Sequence, residues 1–465
     1  MLPHVKNQSA LSFKIFENPE HTMRTRPLSY ACLLFATLCG AYFLVFFQRL
    51  SLGVIMPSLT EDLGLTPSMT GWLGSAFLYA YAATQIPAGL LVDNWGPRRT
   101  MLLLFGMGGV GGLLFASAAS LGTALAGRAL VGVGMAVVTT ASFKIMSNWF
   151  RAGIYARLVS IFMATGGLGT FFAAAPLAAL NTAFGWRPVF RGIAVFSLFW
   201  GALLWLMVKD APSRGQERTP ALSSMQRPAC IRSGCAHPPG VSAEDRHKRA
   251  PESSTSPADI LRTFRILFSS PQYRLIVLWY LTGASLFFSF AGLWAGDYYR
   301  RVHGLSAESL GALLSLGSLS LILGTPAGAW LSDRLHSRRA VLIIGSVCAL
   351  GSSLSLCFSS APLPLWALWL QFGGICVAGN ATASAVFASA REVLPPSVLG
   401  LSTSMLSLSI FGCTACLQAV IGGLLETFSA LGPEQAYAHA FSVYLVFASV
   451  SLAAALMFRP SGHQA

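Results

Sequence analysis

The chain has 465 residues, of which 54% are hydrophobic and 10% charged, with a mean hydropathy of +0.61. A soluble domain carries about 25% charged residues, so this composition excludes the row of roughly three water-facing domains that the length alone would suggest. The 31 Lys+Arg against 17 Asp+Glu give a formal net charge of +14, which permits a nucleic-acid partner until the basic residues are placed along the chain.

A helix needs ~20 mostly apolar residues to cross the hydrocarbon core. Such runs lie at 28–56, 71–92, 99–118, 121–145, 157–183, 189–208, 273–298, 306–331, 340–358, 363–389, 398–425 and 437–458. They are continuous rather than alternating ~10-residue segments, which favours helices over barrel strands. Helices also satisfy their own backbone polar groups in lipid.

Residues 1–27 form a polar tail, in which Met23, followed by Arg24, Thr25 and Arg26, offers a second start. The first run holds Tyr42 and Arg49, and the second holds Tyr79, Tyr81 and Gln85. Between the second and third runs lies "PAGLLVDNWGPRR", Pro87 to Arg99. The third run is glycine-rich (Gly106, Gly108, Gly109, Gly111, Gly112), as is the fifth (Gly166, Gly167, Gly169). Mid-membrane glycines read as close-packing faces, not nucleotide loops, which sit between a strand and a helix. The fourth run contains Arg128 and Lys144.

After the sixth run comes a linker, 209–272, rich in Pro, Ser, Arg and Gly over 210–258. Its composition cannot build a core. "ADILRTFRILF" near its end has the spacing of a short helix lying on the membrane surface. Cys230 and Cys235 with His237 lack a fourth ligand and a fold, so no metal is expected there. The second six runs repeat the first six: "PAGAWLSDRLHSRR", Pro326 to Arg339, follows the eighth run as its counterpart follows the second. The spacing from Asp93 to Arg98 and Arg99 equals that from Asp333 to Arg338 and Arg339. The expected division is a tail 1–27, a six-helix bundle 28–208, the linker 209–272, a second bundle 273–458 and a tail 459–465. Two such bundles suggest halves that rock about a central site.

An even number of spans puts both ends on one side. That side carries 24 of the 31 Lys and Arg; Arg187, Arg191, Arg300 and Arg301 lie opposite, and Arg49, Arg128 and Lys144 lie within spans. The positive-inside rule therefore places both ends in the cytoplasm. Most of the positive charge is topology, and no nucleic-acid partner is implied.

"GLLVDNWGPRR" resembles the signature loop of the major facilitator superfamily. Gly89, Leu91, Asp93, Gly96, Arg98 and Arg99 match, with Asn94 at a usually basic position. In the second copy Asp333, Arg334, Arg338 and Arg339 match and His336 replaces the glycine. Arg128 with Gly132 and Gly134 resembles the family's arginine motif in the fourth span, and "GWRPVF" at 185–190 is a further family feature. The resemblance covers residues 28–458 and implies an all-α membrane protein, twelve helices in two six-helix bundles, working by alternating access. Gly89 is expected to allow a close helix approach, Gly96 a positive φ, and Asp93 a pairing with helix amides or a nearby Arg. Gly89, Asp93, Gly96, Arg98, Arg99, Arg128, Asp333, Arg334, Arg338 and Arg339 form the expected gating set.

Ionisable residues inside spans are functional candidates by default. In the middle of the spans they are cations only; Asp297 and Glu426 fall at the outer ends of their spans. Arg49 reads either as a cavity guanidinium, suited to bidentate carboxylate or phosphate recognition, or as a rim anchor. Its stretch resembles span one of the family's organic-anion carriers, the organophosphate:phosphate antiporters and anion:cation symporters. Gln48 and Met135 stand where the symporters carry Asp and Glu, and span seven lacks the antiporters' second arginine, so neither chemistry transfers whole. Arg128 reads as a partner of backbone carbonyls or as substrate-proximal; Lys144 as snorkelling to the interface or as an inner-cavity cation.

The substrate-binding candidates are Arg49, Tyr42, Tyr81, Gln85, Lys144, Asn380 and Gln418. The expected function is a secondary or facilitative transporter of a small polar organic solute, with an anion preferred. It would act as a monomer in the lipid of a bacterial inner membrane, without cofactor or metal and without enzymatic activity. The alternatives are a transporter-like ligand sensor and a lipid flippase of the same fold.

Overall fold

The computed structural model describes residues 28–150, 152–209, 265, 267–358, 362–394 and 399–459. The N-terminal tail, the 210–258 linker with Cys230, Cys235 and His237, and most of the 258–268 segment lie outside these. Among the described residues, every regular element is helical and twelve helices are long and apolar enough to cross a membrane. In chain order they are α1 (Tyr30–Leu63), α2 (Pro67–Asn94), α3 (Pro97–Ala116), α4 (Leu121–Trp149), α5 (Arg157–Phe184) and α6 (Trp186–Met207). The second set is α7 (Pro271–His303), α8 (Glu308–Arg334), α9 (Arg338–Phe358), α10 (Leu365–Val393), α11 (Ser402–Thr427) and α12 (Pro433–Met457). The protein is an all-α, multi-pass membrane protein of two six-helix bundles.

Several helices outrun their apolar cores. α1 continues through Pro57 to Leu63, past the expected end at Met56, and α4 continues to Trp149. Hydropathy marks the hydrocarbon thickness, whereas capping sets the helix end. Thr66 starts α2 by accepting from the Met69 amide, and Ser120 starts α4 with a reciprocal box to Thr123. Gly304, at φ 64°, closes α7 in the left-handed conformation. α5 is interrupted at residues 173–174, just before Pro176. α7 contains two π-helical stretches, Tyr280–Ala284 and Phe290–Trp294, and α10 contains one, Val377–Ala381.

Glycines set the packing inside the first half. A Cβ on Gly134 would lie 2.5 Å from the Gly108 Cα, and one on Gly127 2.5 Å from the Phe115 amide, so α3 and α4 meet nearly backbone to backbone. Gly106, expected on that face, faces open space instead.

The two halves join along three pairs of helices. α1 meets α7 at Gly53 and Gly292, α5 meets α8 at Gly167 and Ile322, and α2 meets α11 at Gly71 and Gln418. The Ser75 hydroxyl donates across the α2–α11 seam to the Ala415 carbonyl at 2.7 Å. These contacts run from mid-span to the face opposite the chain ends, called here the far face. There Glu426 of α11 accepts from the Thr66 hydroxyl at 3.0 Å and the Ser68 amide at 3.1 Å. A carboxylate at a helix N-terminus is favourably placed, and this one ties the halves together.

Candidate functional site

Arg49 sits on the seam at mid-span. It is 7% exposed, unlike the solvated position of a rim anchor. Its guanidinium carbon lies 4.1 Å from the Phe411 ring centroid, 4.6 Å from Phe46, 4.9 Å from Tyr81 and 5.9 Å from Phe288. Phe46 and Tyr81 belong to the first half, Phe288 and Phe411 to the second. A cation within ~6 Å of a ring face gains about 0.5–2 kcal/mol per ring. Among the described residues no carboxylate is within ion-pair distance of Arg49, and its buried Nε has no hydrogen-bond partner. The site is therefore a desolvated cation held by aromatic faces, with donor capacity left over.

Arg128 and Gln418 line the same small pocket as Arg49. Arg128 is buried in the first half and donates to the Gln48 carbonyl at 3.2 Å, with Phe77 and Phe115 beside it. Gln418 donates to the Phe288 carbonyl at 3.4 Å, and its own Oε1 is buried without a partner.

The remaining substrate candidates separate. Tyr81 belongs to the aromatic cage. Tyr42 stacks on Phe162 at 4.2 Å and donates to the Met163 sulfur, filling the α1–α5 interface. Asn380 donates to the Ser320 hydroxyl at 2.8 Å and its carbonyl accepts from Thr325, binding α10 to α8. Gln85 is half-buried on α2. Lys144 is not with Arg49: its Nζ lies 2.7 Å from Asp93 and 3.0 Å from the Val92 carbonyl. It is a partner of the signature loop, a role that sequence could not show because α4 and the loop meet only in the fold.

The two signature loops solve one problem differently. In the first, Asp93 takes its cation from α4, and Arg98 instead caps the end of α6 through the Trp205 carbonyl at 2.8 Å while stacking on the Trp205 ring. In the second, Arg338 pairs within its own loop to Asp333 at 3.1 Å and reaches Glu392 of α10 at 3.4 Å. Arg339 takes the terminal role, donating to the Leu456 carbonyl at the end of α12, and Arg334 stacks on Trp330. Arg99 is exposed. Gly96 has φ 89°, and His336 occupies the same turn position at φ 49°. The expected close approach at Gly89 is absent: a Cβ there would meet nothing within 4 Å. Its counterpart Gly328 does press against the Ala381 carbonyl. Each of these loop-face interactions stays within one half.

Sequence reading missed Phe46, Phe288 and Phe411. Phe46 stands one helical turn before Arg49, a usable signal; the other two come from helices that approach only on folding.

The family model for the Major Facilitator Superfamily matches residues 38–412 and, in a second match, 297–463. A protein named "Probable sulfoacetate transporter SauU" from Cupriavidus necator is 24% identical over 332 residues, 70% of this chain and 71% of that one. The hexuronate transporter of Bacillus subtilis is 22% identical, covering 66% of this chain and 65% of its own. The D-galactonate transporter of Escherichia coli O6:H1 is 22% identical, covering 76% and 80%. Among solved structures, a bacterial homologue of the human lysosomal transporter Spinster, inward-facing and unoccupied, aligns with TM-score 0.64 at 18% identity over 93% of this chain and 95% of that one. A D-xylose–proton symporter aligns with TM-score 0.68 at 15% identity over 92% and 97%.

Proposed function

The chain belongs to the major facilitator superfamily, and from that premise we propose that this transporter carries a small organic anion through a central site by alternating access. The observation that carries the reading is Arg49: a buried guanidinium on the seam between the halves, without a carboxylate partner and with an unpaired Nε–H. A buried ion without a partner is unfavourable, so such a group is retained where a ligand supplies the counter-charge. Because the cage draws rings from both halves, an anion reaching Arg49 touches the surfaces that must part. The matched relatives named for sulfoacetate, hexuronate and D-galactonate support a carboxylate or sulfonate.

The positive-inside bias puts the signature loops in the cytoplasm. On that orientation the outer side is closed, with Glu426 and the α2–α11 glycines forming the outer seal. Asp93–Lys144 and the Asp333–Arg338–Glu392 cluster keep each half's inner end intact. Gly89, uncovered here, is the position that becomes a helix contact when the inner side closes. With no carboxylate beside Arg49 among the described residues, exchange or facilitated movement fits better than a central proton relay.

The test is uptake of sulfoacetate, glucuronate and D-galactonate into proteoliposomes by the wild type and by Arg49→Gln. Uptake of at least one anion that is lost in the variant supports the reading. Unchanged uptake and affinity in Arg49→Gln would overturn it.

A further inference from the structure

A second cavity, of about 180 Å³, opens at the far end of the seam. Both halves wall it: Thr60 of α1 and Thr70 of α2 on one side, Trp294, Asp297 and Arg301 of α7 and Tyr437 of α12 on the other. Phe288, which touches the central Arg49, precedes Trp294 by about two turns and Arg301 by about four, which puts this cavity roughly 9–20 Å farther along α7.

Its polar groups are unevenly satisfied. Both Asp297 oxygens are taken, Oδ1 by the Arg301 Nε at 2.7 Å and Oδ2 by the Tyr437 hydroxyl. Trp294, by contrast, is 1% exposed and its Nε1–H has no partner. An indole nitrogen can only donate, and leaving a buried donor unpaired is unfavourable. Arg301 commits its Nε to Asp297, and its side chain is 52% exposed. Thr60 and Thr70 also line the wall, and a hydroxyl can donate to an anion as well as accept. Each Asp297 oxygen already accepts one bond, while the buried Trp294 N–H has no acceptor and the exposed Arg301 guanidinium can only donate, so a ligand that presents acceptor oxygens fits.

We propose that this cavity is a second anion site, a peripheral vestibule that takes the carboxylate or sulfonate of an organic anion on the Trp294 indole N–H and the Arg301 guanidinium. The proposal rests on the organic-anion reading only for its choice of ligand; its geometry is independent of Arg49. A site walled by both halves gives anions arriving at the far face a first contact on the seam that must open to admit them. It also explains why an arginine paired to Asp297 stands beside an unsatisfied donor instead of an apolar gasket.

The test is calorimetric titration of the full-length protein in nanodiscs, in chloride-free buffer, with acetate, sulfoacetate, glucuronate and D-galactonate. The expected wild-type result is two binding events for at least one anion. Trp294→Phe keeps the ring and removes the donor; it should weaken one event at least 5-fold and leave the other. Arg301→Gln should weaken the same event. Arg49→Gln should weaken only the other one. If Arg49→Gln changes nothing while Trp294→Phe removes an event, the vestibule stands and the central reading fails. Titrations of Trp294→Phe and Arg301→Gln that superimpose on the wild type overturn the vestibule, as does a wild type that shows one event sensitive to Arg49 alone or binds none of the four anions.

Discussion

At the scale of single residues, the decisive balance is at Arg49. Removing an ion from water carries an effective penalty of several kcal/mol. Four rings at about 0.5–2 kcal/mol each offset much of it, and they do so without using the guanidinium's hydrogen-bonding edge. The cage thus keeps the cation fixed and available. A charge-assisted hydrogen bond contributes about 1.5–3 kcal/mol, so losing a two-bond clasp in Arg49→Gln should weaken anion binding ~100-fold or more. Arg49→Lys keeps the charge but loses the planar fork and its stacking; a drop of roughly 10-fold is expected for a single remaining bond. Ligand-induced thermal stabilisation of purified variants measures both. Equal affinities for Lys and Arg would show that charge alone is read. The arginine was visible in sequence as a lone cation in an apolar run. Its surroundings were not, because Phe288 and Phe411 reach it from helices in the other half.

At the scale of helices and their contacts, glycine placement separates permanent packing from contacts that change. A Cβ on Gly132 would overlap the Phe77 carbonyl of α2, whereas one on Gly89 meets open space. Overpacking a fitted interface costs about 1–3 kcal/mol, so Gly132→Val should lower the melting temperature and the folded yield in detergent. Gly89→Ala should leave both unchanged. If α2 closes on a neighbour at Gly89 during the cycle, the same variant loses transport with its melting temperature intact; a melting temperature that falls as in Gly132→Val would show that Gly89 is ordinary core. The loop pairs behave differently again. Lys144 and Asp93 are 34% and 69% exposed, and such pairs contribute about 0–1 kcal/mol. Lys144→Met should therefore shift thermal stability by no more than a degree or two, at the few degrees per kcal/mol of a large domain. Its effect should appear in transport rate, and a stability loss well beyond that range would mark Lys144 as structural. The spans and the glycine faces of α3 and α5 were legible because hydropathy and residue size are written locally. The π-helical stretches in α7 and α10 were not, since one extra residue in a turn leaves no compositional trace.

At the scale of the whole molecule, the architecture is legible in the repeat: six spans, a linker, six spans, and one Asp/Arg loop in each half. How the halves meet was beyond reach, because a repeat is indifferent among the ways its two copies can pack. The structure supplies it through the distribution of contacts. Those between halves run from mid-span to the far face, while Lys144–Asp93, Arg338–Glu392 and Arg98–Trp205 each stay inside one half. On the alternating-access reading, nothing in these loop-face interactions has to break for the far side to open, whereas the α2–α11 seam with the Glu426 cap must. This asymmetry yields a mechanical prediction. Cysteines at positions 68 and 426, Ser68→Cys with Glu426→Cys, joined by a short reducible bis-thiosulfonate spacer, should hold that seam shut. Transport in proteoliposomes should stop on cross-linking and return on reduction, while anion binding should persist if Arg49 is reached from the loop face, the side that the spacer leaves untouched. The wild type, with its nine native cysteines, and each variant carrying only one of the two added cysteines, treated with the same reagent, serve as the controls for modification without this bridge. Full transport by the bridged protein would mean that the halves do not part at the α2–α11 seam, and the alternating-access reading would have to be rebuilt around another opening.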